Sequence, residues 1–172
     1  MTNLYELVAN AKTQGTSDGD YFLSNQQGAM VVEKLIEKTT GLKKTVILVG
    51  TILEAHPKKA GGQAQTPGTK VKKIYSLSKY DWAIDELKTD IVKMSGIDEK
   101  SLSPNDVASM FKEVFMNDAL KGVVVTFNSR DVVREGKPTL CKVDFGEPPG
   151  DNTDPKHVNH PDNIAARAAD IK

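Results

Sequence analysis

KKTVILVGTILEAHPKKAGGQAQTPGTKVKKIYSLSKY, residues Lys43 to Tyr80, is the segment around which the rest of the chain is organised. It opens on the apolar run Val46-Ile47-Leu48-Val49, continues through Thr51-Ile52-Leu53, breaks into a Gly/Gln/Pro loop and resumes as Val71-Lys72-Lys73-Ile74-Tyr75-Ser76-Leu77. Two β-rich runs around such a loop predict a pair of strands with a flexible tip. Eight lysines (43, 44, 58, 59, 70, 72, 73 and 79) stand against one acid, Glu54, a net of about +7, although the 172-residue chain as a whole is neutral. The balancing acid follows at once, with nine acids and four lysines between Asp81 and Leu120. Charge segregated by element, positive on a sheet, is the electrostatic footprint of a polyanion partner.

Upstream, Gly28 to Lys38 carries Val31, Val32, Leu35 and Ile36 at a spacing that also suits a helix. Its β-branched content and the short connection Thr39-Thr40-Gly41-Leu42-Lys43-Lys44 into the next β-run predict a strand and a hairpin instead. Residues 1–27 hold a possible helical turn at Asn3 to Val8 and then a polar, glycine-bearing stretch, which reads as a loosely attached arm. Downstream, Asp81-Trp82-Ala83 opens a helix with Ile84, Leu87, Ile91 and Met94 on one stripe and Gly96 at its C′ position. Ser103-Pro104-Asn105-Asp106 reads as an N-cap followed by a first turn, with Val107, Met110, Phe111, Val114 and Phe115 beyond it. Strands return at Lys121 to Asn128 and at Thr139 to Phe145. From Gly146 onward the chain is rich in Pro, Asp and Asn with a net charge of about −2. It reads as a flexible tail, 148–172, with at most a short helix over Asn163 to Ile171.

Three strands, a helical insertion and two strands form the connectivity of the OB-fold, whose second and third strands bind oligonucleotides. The expected fold is therefore an α+β β-barrel with a helical insertion: a five-stranded, OB-fold-like Greek-key barrel over residues 28–147, with helices between strands three and four. The length suits one such domain. The sequence lacks an apolar run of about 18 residues and an export signal at its N-terminus, so the expectation is a soluble, cytoplasmic protein. Cys141, the single cysteine, reads as a small buried apolar residue.

The segments QQGAMVVEKLIEKTTGLKKTVILVGTILEAHP, TPGTKVKKIYSLSKYDWAIDELKTDIVKMSGID and TFNSRDVVREGKPTLCKVDF together resemble the OB-fold single-stranded DNA-binding proteins of tailed bacteriophages. The resemblance covers roughly residues 25–147 and rests on layout and short phrases: a glycine opening the first strand, Pro-Gly-Thr-x-Val at the third, and a helix ending in Gly-Ile-Asp. The tail, Ala-Asp-Ile-Lys, departs from the acidic, aromatic-tipped peptide of the wider class. The resemblance implies sequence-independent binding of single-stranded DNA in phage replication or recombination, in the host cytoplasm, with replication or recombination proteins as further partners and a possible homo-oligomer.

Such binding needs cations that track phosphates and flat rings on which bases stack. Because side chains alternate along a strand, Val71, Lys73, Tyr75 and Leu77 share one face of the third strand, and Lys72, Ile74 and Ser76 the other. Tyr75 beside Lys73 is thus either a stacking ring next to a phosphate-binding amine or a core residue. Tyr80 is a further candidate platform at the strand end, and Trp82, Phe127 and Phe145 are each weighed between core packing and a base platform, with core packing favoured. Lys44, Lys58, Lys59, Lys70, Lys72, Arg130 and Arg134 complete the candidate phosphate contacts. No phosphate loop, dinucleotide fingerprint or nucleophile elbow occurs, so no enzyme activity and no cofactor are expected. His157 and His160 lie in a proline-rich tail without a helix or cysteine to complete a metal site. A protein-interaction or assembly module on the same barrel, and RNA binding, remain open alternatives.

Overall fold

The computed structural model describes residues 19–78, 82–97, 99–146 and 153–171. The element order is β1 (Asp20–Tyr21), β2 (Gln26–Thr40), β3 (Lys43–Pro57), β4 (Lys70–Ser76), α1 (Trp82–Ser95), a 3₁₀ turn (Glu99–Ser101), α2 (Pro104–Met116), β5 (Val124–Val132), β6 (Leu140–Phe145) and α3 (Pro161–Asp170). One six-stranded mixed sheet runs in the order β1-β4-β3-β2-β5-β6, all pairs antiparallel except the parallel β1–β4.

β2 and β3 form the spine, 15 residues each. The hairpin between them turns on Gly41 and Leu42, with Gly41 at φ +62°, the left-handed first position that a type II′ loop requires. Two register shifts, at Ala29/Met30 and Val32/Lys34, bend the spine so that its halves serve different sides of a curl. At the bend β2 runs hard against β3: a methyl group added at Gly28 would lie 2.0 Å from the Glu54 carbonyl oxygen. The sheet closes into a half-barrel. Phe22, just after β1 at one end of the strand order, packs edge-on against Phe145 of β6 at the other, with ring centroids 6.1 Å apart, and against Phe127 at 5.3 Å. Met30, Val32, Leu48, Ile52, Val71, Val125 and Val143 fill the interior.

α1 and α2 fall between β4 and β5, and α3 follows the sheet. α1 contributes Leu87, Ile91 and Met94 to the core, whereas Ile84 is 56% exposed. Stepping back four residues from Leu87 puts Ala83, not Ile84, on the buried stripe. α2 begins as its sequence requires, with a capping box in which the Ser103 hydroxyl accepts from the Asp106 N–H and the Asp106 carboxylate from the Ser103 N–H.

Three expectations change. The sheet has six strands rather than five, because residues 19–27 are no loose arm: β1 adds a parallel edge strand, and Phe22 and Gln26 are buried. The third helix overlaps the short one expected over Asn163 to Ile171, but the described polar segment around it, 153–171, is docked on the sheet. Asn159, 2% exposed, donates to the Val124 carbonyl and accepts from the Val124 N–H, both at 2.8 Å. Arg167 Nε donates to the Gly122 carbonyl at 2.9 Å, and Ile164 packs on the core. Polar composition hid this attachment, since a backbone edge is held by hydrogen bonds and needs no apolar stripe. Cys141 is exposed, not buried: it shares a face with the buried Val143 and Phe145 but lies near the start of the edge strand β6, where that face is no longer covered.

This docking reverses the outcome composition suggested for the tail. Asn159→Ala should cost about 1–3 kcal/mol of stability in chemical denaturation, since it strips partners from two backbone groups of β5. Truncation before Thr153 should lower Tm visibly. Unchanged stability in both variants would mean that the segment rests on the sheet without holding it.

Candidate nucleic-acid interface

β4 divides the candidate residues by its alternation. Val71, Lys73 and Tyr75 do share a face, and that face is the interior. The Lys73 side chain is 10% exposed, and its ammonium meets Asp90 Oδ2 at 2.7 Å, Glu86 Oε1 at 2.8 Å and the Val143 carbonyl at 2.8 Å. Those three contacts use all three N–H donors and tie β4 to α1 and to β6, across the seam where the curl closes. Tyr75, 2% exposed, donates its hydroxyl to the same Asp90 oxygen at 2.5 Å. Burial, reinforced by the Asp90 charge, pushes the Tyr75 hydroxyl well above its ordinary pKa. Burial likewise raises the Asp90 carboxyl, outweighing the neighbouring Lys73 ammonium that acts to lower it.

The reading of Tyr75 as a base platform and of Lys73 as a phosphate contact is therefore corrected in favour of core and buried ion pair. Both groups are spent on holding the curl of the half-barrel. Phe127, 3% exposed against Phe22, is core as well. Two more hairpin lysines are partly neutralised: Lys44 lies 3.4 Å from Glu37, and Lys70 lies 3.5 Å from the buried Glu33. Lys58 and Lys59 stand exposed in the loop after β3, where the Lys58 N–H donates to the Asn25 carbonyl at 2.9 Å. Arg130 faces Asp144 at 3.6 Å on the β5–β6 ribbon. Tyr80 lies outside the described residues.

The outward face of β4 carries the other half of the alternation, Lys72, Ile74 and Ser76. There the Lys72 ammonium sits 4.9 Å from the centroid of the Tyr21 ring, which is 65% exposed. Trp82, 54% exposed, stands at the start of α1 nearby. These residues open onto a groove of about 750 Å³ along the β4–β6 seam, with Arg134, Leu140 and Lys142 on its far side. Arg134 donates from Nη2 to the Pro138 carbonyl at 3.0 Å, and its Nε is buried without a hydrogen-bond partner among the described residues. The groove thus combines two exposed rings with five cations, Lys72, Lys73, Lys93, Arg134 and Lys142, and four carboxylates, Asp85, Glu86, Asp90 and Asp144, of which Glu86 and Asp90 are paired with Lys73.

Of the residues expected from sequence, Lys72, Trp82 and Arg134 are brought together here, with Lys73 and the buried Tyr75 in the groove's floor, while Lys44, Lys58, Lys59, Lys70 and Arg130 lie elsewhere. Tyr21 and Lys142 were missed. The signal for Tyr21 was present: Tyr21-Phe22 is an aromatic pair in an otherwise polar stretch, and on a strand one of two neighbours faces the core while the other faces solvent. Among the described residues no cluster of three metal-ligating side chains occurs, and no helix is long and apolar enough to cross a membrane. Comparison with protein-family models, with curated proteins and with solved structures finds no match to this chain.

Proposed function

We propose that this protein binds single-stranded DNA with little sequence preference and serves DNA replication or recombination, without enzymatic activity. The observation that carries the reading is the Tyr21–Lys72 pair: an exposed ring with an ammonium 4.9 Å from its centroid, opening onto the seam groove beside Trp82. A ring offers a face to any base and an ammonium a charge to any phosphate, so the pair recognises a polymer strand and not its sequence. The fold supports this. Without β1, the order β4-β3-β2-β5-β6 with helices between β4 and β5 supports reading the half-barrel as an open relative of the OB-fold, a frame whose sheet face and loops take oligonucleotides.

The test is a salt-dependent titration with a fluorescent dT oligomer, run beside duplex DNA and an RNA oligomer of equal length. Tyr21→Ala should weaken binding by about 1–3 kcal/mol. Lys72→Ala should make the slope of log affinity against log salt shallower by roughly 0.7. A protein indifferent to all three polymers would be read instead as a protein-interaction module, and stronger binding of the RNA would redirect the proposal to that polymer.

A further inference from the structure

The geometry points to Gln65 as a positioning residue of the groove: buried in the loop after β3, it holds the backbone of Tyr21 and so keeps the ring in register with Lys72. This rests on the single-strand reading and deepens it. β1 is only two residues long, pairing Asp20 with Val71 and Tyr21 with Lys72, too short to fix a ring by itself. Gln65 supplies the missing hold. Its Nε2 donates to the Tyr21 carbonyl at 2.9 Å, and its Oε1 accepts from the Leu23 N–H at 3.4 Å. The amide is itself locked by Gln26, fully buried in β2: Gln26 Nε2 donates to Gln65 Oε1 at 2.6 Å, and the Gln65 main-chain N–H donates to Gln26 Oε1 at 2.9 Å.

Two buried glutamines in a small barrel are an expensive substitute for apolar packing unless their hydrogen bonds fix something. What they fix is the path of residues 21–23, which puts Tyr21 outside and Phe22 inside. The same link joins Tyr21 to the loop that carries Lys58 and Lys59. A strand engaging those lysines would therefore act on a segment already tied to the ring.

The test uses the full chain with Gln65→Met, which keeps the volume and removes the hydrogen bonds, and with Tyr21→Ala, Lys72→Ala and the Tyr21→Ala/Gln65→Met pair. Fluorotyrosine labelling provides a readout independent of nucleic acid, with the Tyr21 ¹⁹F resonance assigned by Tyr21→Phe. In Gln65→Met that resonance should move in the direction seen in Lys72→Ala, as the ring leaves the ammonium. Affinity for the dT oligomer should drop several-fold, by no more than in Tyr21→Ala, and the double variant should bind no more weakly than Tyr21→Ala alone. An unmoved resonance, or losses that simply add, would overturn the positioning role and leave Gln65 as a stability residue. If the wild type ignores dT while the resonance moves as expected, the single-strand reading falls and the hold of Gln65 on Tyr21 stands.

Discussion

Lys73→Met should destabilise the protein by about 3–5 kcal/mol in chemical denaturation, the largest loss expected of any lysine in the chain. Methionine fits the space, but Asp90, 6% exposed at its side chain, and Glu86 then face each other without the cation that pairs them. Breaking a buried ion pair from one side leaves an uncompensated charge in a poorly solvated place, which costs far more than the pair itself is worth. Lys73→Met/Asp90→Asn should recover part of the loss. The pH dependence is also fixed in sign. Because burial raises the Asp90 carboxyl above its ordinary value, the native state holds a proton there that the unfolded chain has already released. Through that window, upward from the ordinary Asp pKa, the contribution of Asp90 to stability falls as pH rises. Lys73→Met should extend the window to higher pH. A variant as stable as the wild type would show that the seam does not depend on this cluster.

Tyr75→Ala should cost about 3–5 kcal/mol, as a large buried ring removed from a packed interior. Tyr75→Phe should cost less, about 1.5–3 kcal/mol, because it takes only the hydroxyl that donates to the Asp90 carboxylate. In both variants the folded fraction should bind a dT oligomer with wild-type affinity. Titration alongside denaturation checks this, and a specific loss of affinity in a stable Tyr75→Ala would return the ring to the interface.

The sequence was most legible where a local rule had no competitor. Ser103-Pro104-Asn105-Asp106 could only open a helix, and the run from Lys43 to Tyr80 could only be two strands. Periodicity also placed Val71, Lys73 and Tyr75 on one face. It could not say which face was inside, because the decisive acids, Glu86 and Asp90, come from a helix that sequence places later and geometry places beneath the strand. A lysine in the core looks identical to a lysine at the surface until its partner arrives. The same limit hid the attachments of residues 19–27 and 153–171. Gln65 reaches Tyr21 across 44 positions and Asn159 reaches Val124 across 35, and no spacing rule connects amides so far apart. Net charge misled for a related reason: the excess of lysines in the hairpin is partly cancelled by pairing across elements, and the exposed cations that matter for the groove include Lys142 from another strand.

The bracket that Asn159 makes around Val124 has a consequence for biosynthesis. β5 pairs with β6 only from Phe127 onward, so the edge at Val124 would otherwise present an open donor and acceptor to any passing strand. The side-chain amide occupies the place of a neighbouring chain, one donor and one acceptor answering one of each. On the ribosome, however, every strand of the sheet emerges before residue 159 does. For that interval the sheet of the half-barrel exists with a sticky margin, and nascent or refolding chains at high concentration should pair through it. The carboxamide is thus a stopper fitted after the vessel is made, and its absence should be felt first as oligomers formed during folding.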